Sequence, residues 1–210
     1  MKRWFEPLLL FAAIALVWTF YRALTHLPSE VDELIAKPIL WLGPVFAVDA
    51  RQLHWFRSAF KTHLARNVLL GIITAIAFST IRIFSTYFRF NAVNITPYDL
   101  SLFPLFRHSL VSLFTAGSEE LVFRGYFQDK FLSHFKNLWP ANFITTFLFV
   151  LIHIPVVVFT LKYSPSASIF YFAIVAMVSL VSGVLFYRTR NLVASIVFHA
   201  VWNLFSSLFR

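Results

Sequence analysis

The chain has 210 residues, of which 59% are hydrophobic, 19% aromatic and only 13% charged, a balance outside that of water-soluble globular domains. Mean hydropathy is +0.74, and Cys is absent, which excludes disulfides and thiolate metal sites and leaves carboxylate, imidazole, hydroxyl and amide groups for any chemistry. The formal charge is +9, but the 18 Lys and Arg form no basic domain with interleaved aromatics, so nucleic acid is excluded as a partner in favour of the lipid bilayer.

Apolar blocks of about 17 to 25 residues, long enough as helices to cross ~30 Å of hydrocarbon, recur along the chain. About seven are recognisable. They predict an all-α polytopic membrane protein, a bundle of about seven transmembrane helices around an intramembrane polar site. The first, 7 to 24, follows Lys2 and Arg3 but lacks a small-residue cleavage site before Tyr21 and Arg22, so it reads as a retained span. The second, 34 to 50, is weak and broken by Pro38, Gly43 and Pro44. The third covers 66 to 85, and the fourth, 102 to 123, ends in the sequence SEELVFRGYF. The last three run from 140 to 161, 167 to 187 and 191 to 209. Two units follow from the pattern, N-terminal transmembrane helices over 1–101 and a helical core over 102–210.

A cytoplasmic N-terminus gathers Lys2 and Arg3, then Arg51, Arg57, Lys61 and Arg66, then Lys130 and Lys136, then Arg188 and Arg190 on one side. The opposite loops hold fewer, and one carries Glu30, Asp32 and Glu33, so the Lys/Arg bias supports that orientation. The chain contains 27 Phe, a residue suited to lipid-facing surfaces. Ser179 and Gly183 form a small-xxx-small pair that favours close helix packing.

Charges inside a span are the informative feature, because each ionisable group at mid-membrane costs on the order of 3 kcal/mol and must be compensated. Glu120 and Arg124 are i,i+4 and can pair along one helix face, leaving Glu119, about 100° away, to face something else. In FLFVLIHIPVVVF, His153 lies in a continuous apolar run with Phe149 one turn before it. In NLVASIVFHAVWN, His199 and Asn203 share a face of the last span. Bringing Glu119, Glu120, Arg124, His153, His199 and Asn203 together in one water-accessible cavity costs less than satisfying each apart. Other routes to membrane proteolysis are disfavoured. No His is followed by Glu, no GxSxG occurs, and Asp99 has no GxGD partner.

EExxxR at Glu119 to Arg124, FxxxH at Phe149 to His153 and HxxxN at His199 to Asn203, in this order, resemble the motifs of the CPBP family, the CAAX-protease and bacteriocin-processing intramembrane proteases also called Abi. The resemblance spans about residues 105 to 210. Arg190 and Asn191 stand where the family has a small, often glycine-containing turn. The resemblance implies a membrane-embedded endopeptidase of the CAAX prenyl protease type, acting on a peptide or protein substrate that in some members is lipidated. It implies Glu119 as the base that activates water, assisted by His153. It gives His199 and Asn203 the substrate carbonyl and its developing oxyanion, and Glu120 and Arg124 the shaping of the site.

Zinc is admitted but not required: Glu119, His153 and His199 are a catalytic zinc set with one position open for water. Asn203 argues for metal-free chemistry, since a neutral carboxamide is a poor zinc ligand. A non-catalytic scaffold or bacteriocin-immunity protein that keeps the fold is the alternative function, and a transporter lacks the expected inverted repeats.

Overall fold

The computed structural model describes residues 5–25, 27–49, 63–90 and 102–208. Lys2, Arg3, Arg51, Arg57, Lys61 and Asp99 lie outside the described residues. Each of the seven apolar blocks folds as a helical element, and no strand occurs among the described residues.

Helix α1 spans Glu6–Leu24, opened by Pro7 in its first turn, where the missing amide costs nothing. The weak second block forms a composite helix, α2, over residues 29–48. It consists of a short turn Ser29–Val31, two π segments Asp32–Ala36 and Pro38–Leu42, and Gly43–Val48. Pro38 and Pro44 remove amides that an α ladder would need, which accounts for its irregular winding. Helix α3 is Leu64–Phe90. Helix α4 runs without interruption over residues 102–135, as Leu102–Glu120, a π segment Leu121–Gln128, and Asp129–Phe135.

Lys136 ends α4 in the left-handed conformation, and the Asn137 side chain then caps α5, Leu138–Leu151, by accepting from the Trp139 amide. Beyond a turn at Ile152 and His153 the chain resumes as a π segment, Val156–Leu161. Ser164 caps α6, Pro165–Thr189, with Pro at its first position. Arg190 reverses the chain at φ 49°, a left-handed position that favours glycine, and α7 follows over Leu192–Leu208.

By length and composition, Glu6–Leu24, Leu64–Phe84, Leu138–Leu161 and Pro165–Thr189 are able to cross a membrane, and α7 is a shorter apolar helix. The charges of α2 and α4 set those two elements apart from the four.

Ion pairs mark two opposite rims of the bundle. At one, Lys130 binds Asp49 at 2.7 Å and Arg190 approaches Asp129 at 3.8 Å. At the other, Arg22 pairs with Asp32 and bonds the Thr160 hydroxyl, while Arg107 lies 3.3 Å from Glu30. Helices α3 and α7 run parallel between the rims, with Gly71 against Ala194 and Val197, Phe78 against Phe198, and Arg82 over Trp202. A side chain on Gly71 would lie 2.7 Å from the Ala194 carbonyl, so glycine is what allows these backbones to meet.

The Phe residues divide into two groups. Phe20, Phe106, Phe143 and Phe147 are exposed, as expected of lipid-facing positions. Phe123, Phe127, Phe149, Phe186 and Phe198 are buried and build the core. Edge-to-face rings link Trp18 of α1 to Trp41 of α2, Trp41 to Phe123 of α4, and Phe123 to Phe149 of α5, with centroids 5.4, 5.8 and 4.8 Å apart. This aromatic chain ends at the polar site.

Candidate active site

Glu119 and Glu120 form the last α-helical turn of α4 before its π segment, and both are buried. Their side chains diverge as the 100° helical step requires. Glu120 approaches Arg124 Nε at 3.3 Å through Oε2, and its Oε1 accepts from His199 Nδ1 at 2.9 Å. The Glu120–Arg124 approach is an ion pair without hydrogen-bond geometry, because neither Oε2 nor Nε has a hydrogen-bond partner. Arg124 is anchored instead by Nη2, which donates to the Ser179 carbonyl at 2.6 Å and to its hydroxyl at 2.8 Å. Its guanidinium stacks over Phe149, 5.0 Å from the ring centre.

The small pair on α6 is thus a packing surface that also receives polar groups. Ser179 holds Arg124, and the Gly183 carbonyl accepts from Gln128 Nε2 at 2.9 Å. Thr146 of α5 lies 3.0 Å from the same Ser179 hydroxyl.

Glu119 points into a cavity of about 710 Å³ that is also lined by His153, His199 and Asn203. The structure therefore brings the four residues of three motifs to one space, with Glu120 and Arg124 packed immediately behind. His153 sits at the turn that closes α5, and its Nδ1 lies 2.6 Å from the Phe149 carbonyl. A carbonyl can only accept, so Nδ1 carries the proton and Nε2 is left for the cavity. The bond of His199 Nδ1 to Glu120 fixes the other imidazole, whose Nε2 stands 3.7 Å from Glu119 Oε2.

Lys37 was not among the residues singled out from sequence. It comes from the broken helix α2, is buried, and its ammonium donates to Glu119 Oε1 at 2.8 Å and also to Glu33. It lies over the Trp41 ring, 5.2 Å from the centroid. The signal was present, since Lys37 is the one basic residue within the block 34 to 50, and an intramembrane ionisable group marks a site. Burial alone therefore does not set the character of Glu119. A counter-ion occupies one carboxylate oxygen and leaves Oε2 as the oxygen turned toward His199.

Among the described residues, no three His, Asp or Glu side chains group closely enough to hold a metal ion. Glu119, His153 and His199 line one cavity, but an ammonium already sits against Glu119, where a dication would be repelled. This donor set does not fit a resident zinc.

Tyr163, an exposed residue beyond the π segment of α5, also lines the cavity, so the space reaches the rim that carries Arg22 and Asp32. The cavity that holds the buried carboxylate is thus open at that rim.

A protein-family model described as type II CAAX prenyl endopeptidase Rce1-like matches residues 101–205. No curated protein matches the chain.

Proposed function

The chain belongs to the Rce1-like family of type II CAAX prenyl endopeptidases, and from that premise we propose that it hydrolyses a peptide bond in membrane-associated substrates by a metal-free, glutamate-activated water. The observation that carries this reading is the convergence of Glu119, His153, His199 and Asn203 on one cavity of about 710 Å³. The match covers half of the chain, and the three motifs lie within it.

In this mechanism Glu119 Oε2 takes a proton from water while Oε1 stays bound to Lys37. The resulting hydroxide attacks the scissile carbonyl carbon. The carbonyl oxygen becomes an oxyanion, stabilised by the Asn203 carboxamide N–H and by His199 as an imidazolium, which donates its Nδ1–H to Glu120 and its Nε2–H to the oxyanion. As the tetrahedral species collapses, the C–N bond breaks and the amine leaves with the proton that Glu119 accepted, passed directly or through His153 Nε2. Glu120 and Arg124 act on the reaction through His199 and the Phe149 face and touch no substrate atom.

The six sequence motif residues keep the roles that the resemblance implies, and Lys37 joins them from outside the matched segment. The unit over 102–210 is thus the catalytic core in this reading, with 1–101 supplying part of its cavity. We also assign the rim with Lys130 and Arg190 to the cytoplasmic side, following the Lys/Arg bias.

The test is cleavage of a membrane-tethered peptide library by the purified protein and by Glu119→Ala. Loss of cleavage in a folded Glu119→Ala protein is expected. Equal cleavage by both proteins, or cleavage by neither, overturns the assignment, and the second outcome favours a non-catalytic scaffold.

A further inference from the structure

Two hydroxyls and one guanidinium meet between α3 and α7 without protein partners. The hydroxyls of Ser79 and Ser206 are buried, and neither has a hydrogen-bond partner. Ser79 is only 5% exposed. A helical hydroxyl commonly bonds a carbonyl one turn back, as Thr74 does to Leu70 and Thr80 to Ile76, so Ser79 departs from its neighbours on the same helix. Arg82 follows Ser79 at i,i+3 and shares its helix face. Its guanidinium lies over the Trp202 ring of α7 at 5.7 Å and makes no ion pair or hydrogen bond among the described residues.

The three side chains line one side pocket of about 10 Å³, room for a single water-sized atom, whose other walls are Ile83 and Phe205. Charge decides what that atom is. Arg82 lies in the apolar span Leu64–Phe84, where a cation without a counter-ion is costly. A water molecule satisfies the hydroxyls but leaves the charge uncompensated. A monoatomic anion does both, accepting from the guanidinium edge that Trp202 leaves uncovered and from two hydroxyls whose protons rotate toward it. Carboxylate, phosphate and sulfate supply the charge but not the fit, because each brings several heavy atoms to a space for one.

We propose that Ser79, Arg82 and Ser206 form a halide site that takes chloride. A chloride ion is only slightly larger than a water molecule and carries the charge that Arg82 lacks. Arg82 and Ser206 also line the main cavity, so the ion has a path from the open rim. Bound there, it bridges α3 to α7 one turn beyond Asn203 and holds together the far end of a contact that Gly71 brings close. Chloride binding here is independent of whether the protein cuts a peptide.

The experiment uses the full-length protein in detergent, prepared with gluconate as the only small anion. Chloride replaces gluconate at constant ionic strength while the line width of the chloride NMR signal is followed. Wild type is expected to broaden the signal beyond a detergent blank, and bromide to reverse the broadening by competition. Acetate and sulfate are expected to compete roughly tenfold more weakly, since the pocket excludes them by size. Arg82→Gln removes the excess width, and Ser79→Ala and Ser206→Ala each weaken binding several-fold while keeping the charge. Should Arg82→Gln not fold, the two serine variants decide alone.

Thermal unfolding gives a second readout. The wild-type midpoint is expected to rise saturably, by about 2–4 °C once chloride exceeds its dissociation constant several-fold, and the Arg82→Gln midpoint to stay flat. No excess broadening in wild type leaves water as the occupant and overturns the proposal. Broadening that survives Arg82→Gln or both serine variants overturns it too, as do acetate and sulfate acting as well as chloride, the mark of a general ionic effect.

Discussion

Lys37 Nζ lies 2.8 Å from Glu119 Oε1 across 82 residues of sequence, and both groups are buried. An ammonium from a proline-broken helix thus neutralises the carboxylate at the centre of the site.

Replacing one member of a buried pair leaves the other charge uncompensated, at a cost of about 3–5 kcal/mol. Lys37→Met is expected to lower the thermal midpoint in detergent strongly, because Glu119 then has no cation against it. Lys37→Met combined with Glu119→Gln removes both charges and is expected to recover most of that loss. Additive destabilisation in the double variant would sink the pairing argument.

Cleavage is expected to persist in the presence of a zinc chelator, and the active protein to carry no stoichiometric metal by mass spectrometry. The reasoning is the Lys37 ammonium on Glu119 together with a donor set that does not group as metal ligands. Activity that is abolished by chelation and restored by zinc would refute the metal-free mechanism.

In the proposed mechanism Asn203→Ala removes one donor to the developing oxyanion, and it is expected to reduce kcat by about 10²–10³ with little change in KM, since the bond strengthens only in the transition state. Steady-state kinetics on the tethered peptide decides this. An effect confined to KM would make Asn203 a ground-state binding residue.

Two glycines fix helix approach and give opposite patterns of repair. Gly71→Ala drives a methyl toward the Ala194 backbone carbonyl, which cannot turn aside, and is expected to destabilise by about 1–3 kcal/mol with no single rescuing change. Gly183→Ala meets the Asn142 carboxamide instead, and Asn142→Ala is expected to relieve most of its cost. Thermal unfolding of the single and double variants reads both.

Much of this architecture is legible in the sequence because the bilayer restricts what a backbone can do. Each apolar block had to become a helix once water was excluded. The Glu119 and Glu120 divergence, the Phe149–His153 turn and the shared His199–Asn203 face follow from 3.6 residues per turn. Lys37 and Arg82 are a different matter. Lys37 is the single basic residue of the block 34 to 50 and Arg82 is joined in the block 66 to 85 only by Arg66 at its edge, and only the packing of α2 against α4, or of α3 against α7, says what each faces. Likewise the expectation that Phe faces lipid describes Phe143 but not Phe149, since an isolated span does not reveal which side meets another helix.

The π segment Leu121–Gln128 bears on how this chain tolerates changes of length. Its i→i+5 bonds take in more residues per turn than the flanking α turns, so the segment carries slack within an otherwise continuous helix. A one-residue deletion between 121 and 128 can be absorbed by tightening to α, with Lys130 still in phase with Asp49. The same deletion between Leu102 and Glu120 has no slack to draw on, and turns one end of α4 about 100° against the other. The two carboxylates then part from their partners while the distant rim stays closed, so the tolerance of this family member to insertions and deletions is written into eight residues.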